Sequence, residues 1–209
     1  YRDVQDPAIT VTMPLVDDPS TALLVWTTTP WTLPSNLAVA VGRDVEYVRA
    51  RRADDAMTYI IARQRLESIL GHDAEVLGTV DVDDLVGQRY QPLFDYFADH
   101  PNGFQVIESG HVTVDDGTGL VHMAPDFGEE DFTACKAVDI DVVIGVNDEG
   151  RFKPSIRDFA GLNVKEADPQ IIRTLKDQGR LIKHDTIQHS YPFCWRSGTP
   201  LIYKAVPAL

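Results

Sequence analysis

Three consecutive threonines, Thr27, Thr28 and Thr29, follow the apolar residues 22–26 and precede Pro30, Trp31, Thr32, Leu33, Pro34, Ser35 and Asn36. Their β-branched side chains are stiff at χ1, so the hydroxyls are held rather than sampled. Pro30 and Pro34 restrict the backbone around them. A ligand site can be built from such a run, although a strand that ends in a turn has the same pattern. A second segment, residues 117–132, carries His122 at the end of an expected strand and Asp131 nine residues later, across the turn at 125–128. Both side chains can then face one cleft. Each also has an ordinary reading: Asp131 as a first-turn acid that complements a helix dipole, His122 as a hydrogen-bonded strand histidine.

Holding these groups requires several short elements. Residues 11–16 and 22–27 read as strands around the turn signal 17–20. Residues 37–41 and 45–49 read as a strand pair, and 59–62 and 75–80 as further strands. Between the last two, residues 63–70 read as a helix closed by Gly71, and 82–87 as a single helical turn. Residues 104–114 are expected to form a strand that enters a hairpin at 115–117 and returns over 119–122. Residues 129–138 pattern as a helix with Asp131 in its first turn, and 164–178 as the best amphipathic helix, with Ile171, Ile172 and Leu175 on one face. Residues 142–146, 181–190 and 200–205 read as extended. The strands do not alternate regularly with helices, so a doubly wound nucleotide-binding sheet is not expected. The class is α+β, mainly β, with a barrel-like core.

The 209 residues suit one medium-sized domain. No apolar run approaches the ~18 residues that span a bilayer, and no leader pattern precedes a cleavage site. Two distant cysteines, Cys135 and Cys194, make neither a disulfide framework nor a metal pair, and fit a reducing cytoplasm. The formal charge of −13 argues against a domain that grips polyanions by itself. The absence of an initiator Met is read as a piece excised from a longer chain.

Several chemistries lack their signatures. There is no Gly-rich phosphate loop, and Gly117-x-Gly119 leads to His122 where a dinucleotide fingerprint needs glycine. No serine sits in a Gly-x-Ser-x-Gly elbow. Cys194 has no second cysteine at zinc-knuckle spacing, so no metal is expected. Asp116-Gly117-Thr118 has the wrong order for an aspartic-protease loop and no partner loop.

Taken together, residues 27–36 and 117–132 resemble the editing domain, CP1, inserted into the class I aminoacyl-tRNA synthetases for isoleucine, valine and leucine. The run from Thr27 to Asn36 is similar to the isoleucyl form, because the valyl and leucyl relatives usually carry arginine in place of Thr29, followed by proline and an acid. Residues 1–7 and 190–196 resemble segments that flank the insert. The resemblance therefore runs nearly end to end, with residues 51–103 carrying the least. The synthetase signatures His-Ile-Gly-His and Lys-Met-Ser-Lys-Ser are missing. What the resemblance implies is a single CP1 domain over 1–209, with 1–16 and 190–209 as the strands that join it to a catalytic core.

The activity implied is hydrolysis of the aminoacyl ester of Val-tRNA(Ile), with clearance of valyl-adenylate as a companion. In this picture Asp131 pairs with the α-ammonium of the misattached amino acid. Thr27, Thr28 and Thr29 surround the aminoacyl group and the terminal adenosine, and Trp31 and His122 line the side-chain pocket. Asn36 hydrogen-bonds in the same segment. No residue is an obvious general base. The implied partners are the 3′ end of tRNA(Ile) carrying valine and the rest of the synthetase, with no membrane. The implied domain needs no cofactor, ATP and Mg belonging to the parent enzyme. Two other readings stay open: a non-catalytic insert that guides the tRNA acceptor end, and an editing domain of valyl or leucyl type.

Overall fold

The computed structural model describes residues 1–191, 196 and 201–204. Its strands are β1 (Arg2–Pro14), β2 (Thr21–Thr27), β3 (Ala38–Val41), β4 (Tyr47–Arg51), β5 (Thr58–Ala62), β6 (Glu75–Val80), β7 (Gln105–Glu108), β8 (Val121–Met123) and β9 (Leu181–Tyr191). The helices are α1 (Leu66–Leu70), α2 (Val82–Leu85), α3 (Glu129–Lys136) and α4 (Asp168–Asp177), with 3₁₀ turns at Pro30–Ser35 and Arg63–Arg65. All nine strands belong to one sheet, in the order β6-β4-β5-β2-β8-β3-β7, with β1 pairing β2 and β9. The barrel-like core is thus a half-barrel with a few helices against it. Among the described residues no helix is long and apolar enough to cross a membrane.

β2 is the hub because its sequence can be buried on both faces. Leu23 and Val25 enter the larger core, with Ile9, Val11, Met13 and Val39, while Ala22 and Leu24 enter a smaller one with Val48, Tyr59 and Ile61. Alternate residues of a strand point to opposite faces, so an unbroken apolar run is what such a strand needs. One edge of β2 pairs antiparallel with β1. The other edge is shared: its first half runs parallel to β5, and Trp26, near its end, pairs with Val121 of β8. Between β5 and β8 the sheet forks, and Thr118 fills the fork. Its hydroxyl donates to the Leu24 carbonyl (2.7 Å), while its own carbonyl accepts the Ala62 N–H (2.9 Å). The cavity described below opens beside this fork, at the C-terminal end of β2.

Several expected elements differ. Strand 37–41 does not pair with 45–49: β3 lies parallel to β7 and antiparallel to β8, while β4 pairs β5 and β6. The expected strand 104–114 is only Gln105–Glu108, and no hairpin joins it to β8, since β3 stands between them. Residues 142–146 form no strand, only a single bridge between Val146 and Phe152. α4 starts at Asp168 rather than at 164, since Pro169 is tolerated only in a first turn. Asn163 draws residues 165 and 166 into a separate turn by accepting their N–H groups. Of the expected extended segment 200–205, residues 201–204 have no regular secondary structure and the ends lie outside the described residues. The motif at 190–196 is also largely outside them.

Candidate active site

β2 ends at Thr27, and the chain turns through Thr28 and Thr29 into the 3₁₀ turn Pro30–Ser35. β8 brings His122 beside it, and the turn after β8 leads into α3, whose first turn holds Asp131. Together they line a cavity of about 450 Å³, with Thr27, Thr28, Thr29, Trp31, Thr32, His122, Phe127 and Asp131 in its wall. Two segments 90 residues apart in sequence, Thr32 and His122, meet at 2.8 Å.

The hydrogen-bond directions can be worked out along the wall. Asn36 Nδ2 donates to the Ala38 carbonyl (3.0 Å), which fixes the amide, and donates also to His122 Nδ1 (2.8 Å). An accepting Nδ1 leaves the ring proton on Nε2, which donates to Thr32 Oγ1. Thr32 sends its own proton to the Thr29 carbonyl (2.9 Å), so the Thr29 hydroxyl donates to Thr32 (3.0 Å). Thr27 Oγ1 accepts the Thr29 N–H (3.0 Å) and lies 3.3 Å from the Thr29 hydroxyl. Behind His122, the Tyr90 hydroxyl donates to Asn36 Oδ1. One hydrogen-bonded chain therefore runs from Tyr90 to Thr27, with donors converging on Thr32 Oγ1 from His122 and Thr29. Among the described residues Thr28 makes no side-chain hydrogen bond, and its hydroxyl is left for a ligand.

These contacts assign roles by elimination. Burial drives the His122 imidazole down to about 3, and both its nitrogens are engaged, so it is a neutral wall and not a base. Burial, with Asp131 nearby, pushes the Cys135 thiol up to about 12, which removes it as a nucleophile. Asn36 is buried and does not line the cavity. Its hydrogen bonds in this segment go to the Ala38 carbonyl and to His122, which it orients.

Asp131 is the partly buried carboxylate of the site, Asp116 lining the cavity from an exposed position. Asp131 Oδ2 accepts the Ala124 N–H (3.0 Å) across the turn. Burial raises its carboxyl above the ordinary value, Glu130 adding to the shift and the Ala124 N–H opposing it. Gly128 allows this placement, because a Cβ there would lie 3.2 Å from the Asp131 carboxyl carbon. The apolar part of the wall is Trp31 edge-on to Phe127, with centroids 4.9 Å apart. Trp26, Thr32, His111, Thr113, Asp116, Thr118, Phe127 and Tyr203 also line the cavity and escape sequence reasoning, except that Thr32 lies within the threonine run. Among the described residues no lysine or arginine lines it. Among the described residues no group of three His, Cys, Asp or Glu side chains could hold a metal ion.

No family model matches the chain. It is 53% identical, over 99% of its length, to the isoleucine–tRNA ligase of Bdellovibrio bacteriovorus. It is 48% identical to that of Nocardia farcinica and 44% to the cytoplasmic one of Caenorhabditis elegans, over its full length in both cases. It spans about a fifth of each of these relatives (20%, 21% and 19%). The crystal structure of GlLeuRS-CP1 superposes on 88% of the chain and 98% of its own, with a TM-score of 0.65 at 14% identity. The Plasmodium knowlesi cytosolic leucyl-tRNA synthetase editing domain covers 91% and 98%, with a TM-score of 0.63 at 7% identity. The chain has the CP1 editing-domain fold. In sequence this CP1-type domain is similar, end to end, to one segment of isoleucine–tRNA ligases.

Proposed function

We propose that the CP1-type domain hydrolyses the aminoacyl ester of tRNA(Ile) mischarged with valine, within an isoleucine–tRNA ligase. The observation that carries this reading is the half-buried Asp131 carboxylate facing a hydroxyl-lined cavity with no lysine or arginine among the described residues of its wall. Such a cavity suits a ligand that brings its own positive charge, as an aminoacyl ester does with its α-ammonium. Pairing with the ammonium restores the favourable surroundings that burial denies the carboxylate.

A missing methylene is worth only about 1–3 kcal/mol of discrimination, the isoleucine–valine pair being the usual illustration, so a ligase needs a second site that accepts the smaller side chain. Trp31, Phe127 and the neutral His122 ring make the wall that would meet the valyl group, and the two-sided grip on His122 keeps that wall from yielding to an extra methyl. Thr28 and Thr29 face the ester, and water is the nucleophile. Its oxygen adds to the ester carbonyl, the tetrahedral oxyanion collapses, and the ribose oxygen departs with the proton the water gave up. With His122 and Cys135 excluded, positioning of the water and stabilisation of the oxyanion do the work, and the substrate's neighbouring ribose hydroxyl helps place the water. Clearance of valyl-adenylate at the same cavity belongs to this reading. The hydrolysis requires no cofactor, the tRNA 3′ end and the remainder of the ligase are the partners, and the setting is the cytoplasm.

The test is deacylation of Val-tRNA(Ile) and Ile-tRNA(Ile) by the full-length ligase and its Asp131→Ala variant. Loss of one charge-assisted contact worth about 1.5–3 kcal/mol lowers valine release roughly 10- to 100-fold, with isoleucine release slow throughout. Equal valine release by variant and parent contradicts the reading and favours an insert that only guides the acceptor end.

A further inference from the structure

The 3₁₀ turn Pro30–Ser35 carries Trp31 and Thr32, yet its N-terminus has no side-chain cap. Thr29 stands at the cap position, but its hydroxyl is committed to Thr32 and Thr27. Pro30 has no N–H, and the Thr32 N–H already reaches the Thr29 carbonyl. The backbone donor left over is that of Trp31. The acidic group on its side is Asp168, buried at the first position of α4, where that helix packs against this turn. One carboxylate thus stands at the N-terminal ends of two helices, where negative charge is favoured.

We propose that Asp168 is a positioning residue for the deacylation site: its carboxylate caps the 3₁₀ turn from outside and so fixes the Trp31–Thr32 part of the cavity wall. The inference rests on the deacylase reading of the cavity for its kinetic consequence, and on geometry alone for its structural one. Among the described residues Asp168 Oδ1 has no hydrogen-bond partner, and burial raises the carboxyl to about 7. The charged groups around it are Lys165, in the turn before α4, which favours the ionised form, and Asp6 of β1, which opposes it. Lys165 Nζ lies 3.9 Å from Asp6 Oδ2. The chain of contacts therefore runs from the β1–β9 ribbon through α4 to the wall of the cavity.

Asp168→Ala and Asp168→Asn in the full-length ligase test this, with two readouts. Hydrogen exchange of the peptide spanning residues 28–36 reports the cap directly. In Asp168→Ala it accelerates at least about tenfold, the equivalent of one lost hydrogen bond, and in Asp168→Asn, whose amide oxygen can still accept the Trp31 N–H, it stays near the parent rate. In deacylation of Val-tRNA(Ile), Asp168→Ala lowers kcat about as much while KM changes little, and Asp168→Asn recovers most of the loss. Isoleucylation of tRNA(Ile) by the same preparations verifies that the ligase is folded. Unchanged exchange in Asp168→Ala overturns the inference whatever the kinetics show. Accelerated exchange with unchanged valine release overturns the kinetic half. A parent enzyme that releases no valine defeats the deacylase reading instead, and leaves the cap to be decided by exchange.

Discussion

His122 is held neutral, burial driving its imidazole down to about 3, and the cost of disturbing that arrangement is calculable. In Asn36→Ala both the His122 Nδ1 and the Tyr90 hydroxyl lose their partner. Leaving buried polar groups unsatisfied costs about 1–3 kcal/mol each, so the urea midpoint falls. Valine release falls with it, since the His122 wall loosens, and Tyr90→Phe shows a smaller version of both effects. Asp168 gives a pH-dependent prediction of opposite sign. Its carboxyl is raised from 3.8 to about 7 in the folded chain, so the folded state holds this proton more tightly than the unfolded one. Stability is therefore lost as pH rises from about 4 to about 7, by up to about 4 kcal/mol at 1.36 kcal/mol per pH unit. Asp168→Asn removes the ionisation. Its melting temperature exceeds the parent's most clearly at pH 8, and the gap narrows toward pH 4; a constant gap would show that Asp168 does not carry the raised value.

The element that decides the site is the fork in the sheet where β5 and β8 share one edge of β2. Thr118→Val removes the hydroxyl that ties the fork to the Leu24 carbonyl, and costs about 1–2 kcal/mol in chemical denaturation. Gly119→Ala is worse: at φ +81° its Cβ would lie 2.5 Å from the Ala62 Cβ, which no rotamer change relieves. The fork was not legible in the sequence. Strands 22–27, 59–62, 75–80 and 181–190 and the helix at Asp131 are legible, because turn residues bracket them and, in β2 and β5, an unbroken apolar run marks a strand buried on both faces. Pairing carries no such mark, so the pattern pairs β3 with its nearest strand and extends β7 into the loop that brings His111 and Thr113 to the cavity. Of the site, Thr27 to Trp31, His122 and Asp131 could be read because they sit in two compact motifs. Tyr90 and Asp168 could not, since each acts on the site through one contact made 54 or more residues away in sequence. For Asn36 the motif shows the cluster, and only the fold shows which side of His122 it occupies.

At the scale of the whole molecule, the formal charge of −13 and a cavity with no lysine or arginine among its described lining leave little to hold a tRNA backbone. The relatives are about five times longer, and in our reading the remainder of the ligase supplies that grip. The chain alone then binds tRNA(Ile) weakly, and its log K falls with log salt less steeply than the full-length ligase's, since the slope counts phosphates neutralised; equal slopes in a filter-binding titration would contradict this. Residues 2–7 of β1, paired only to β9, form the ribbon by which we expect the domain to join that remainder. The central claim, that Asp131 receives the α-ammonium of a misattached amino acid, is tested most directly by a crystal structure of the full-length ligase with a non-hydrolysable valyl-adenosine amide. The account predicts the valyl ammonium within hydrogen-bond distance of the Asp131 carboxylate, with the isopropyl group against Trp31, Phe127 and His122. An ammonium bound elsewhere, with Asp131 still turned to the Ala124 N–H alone, would contradict it.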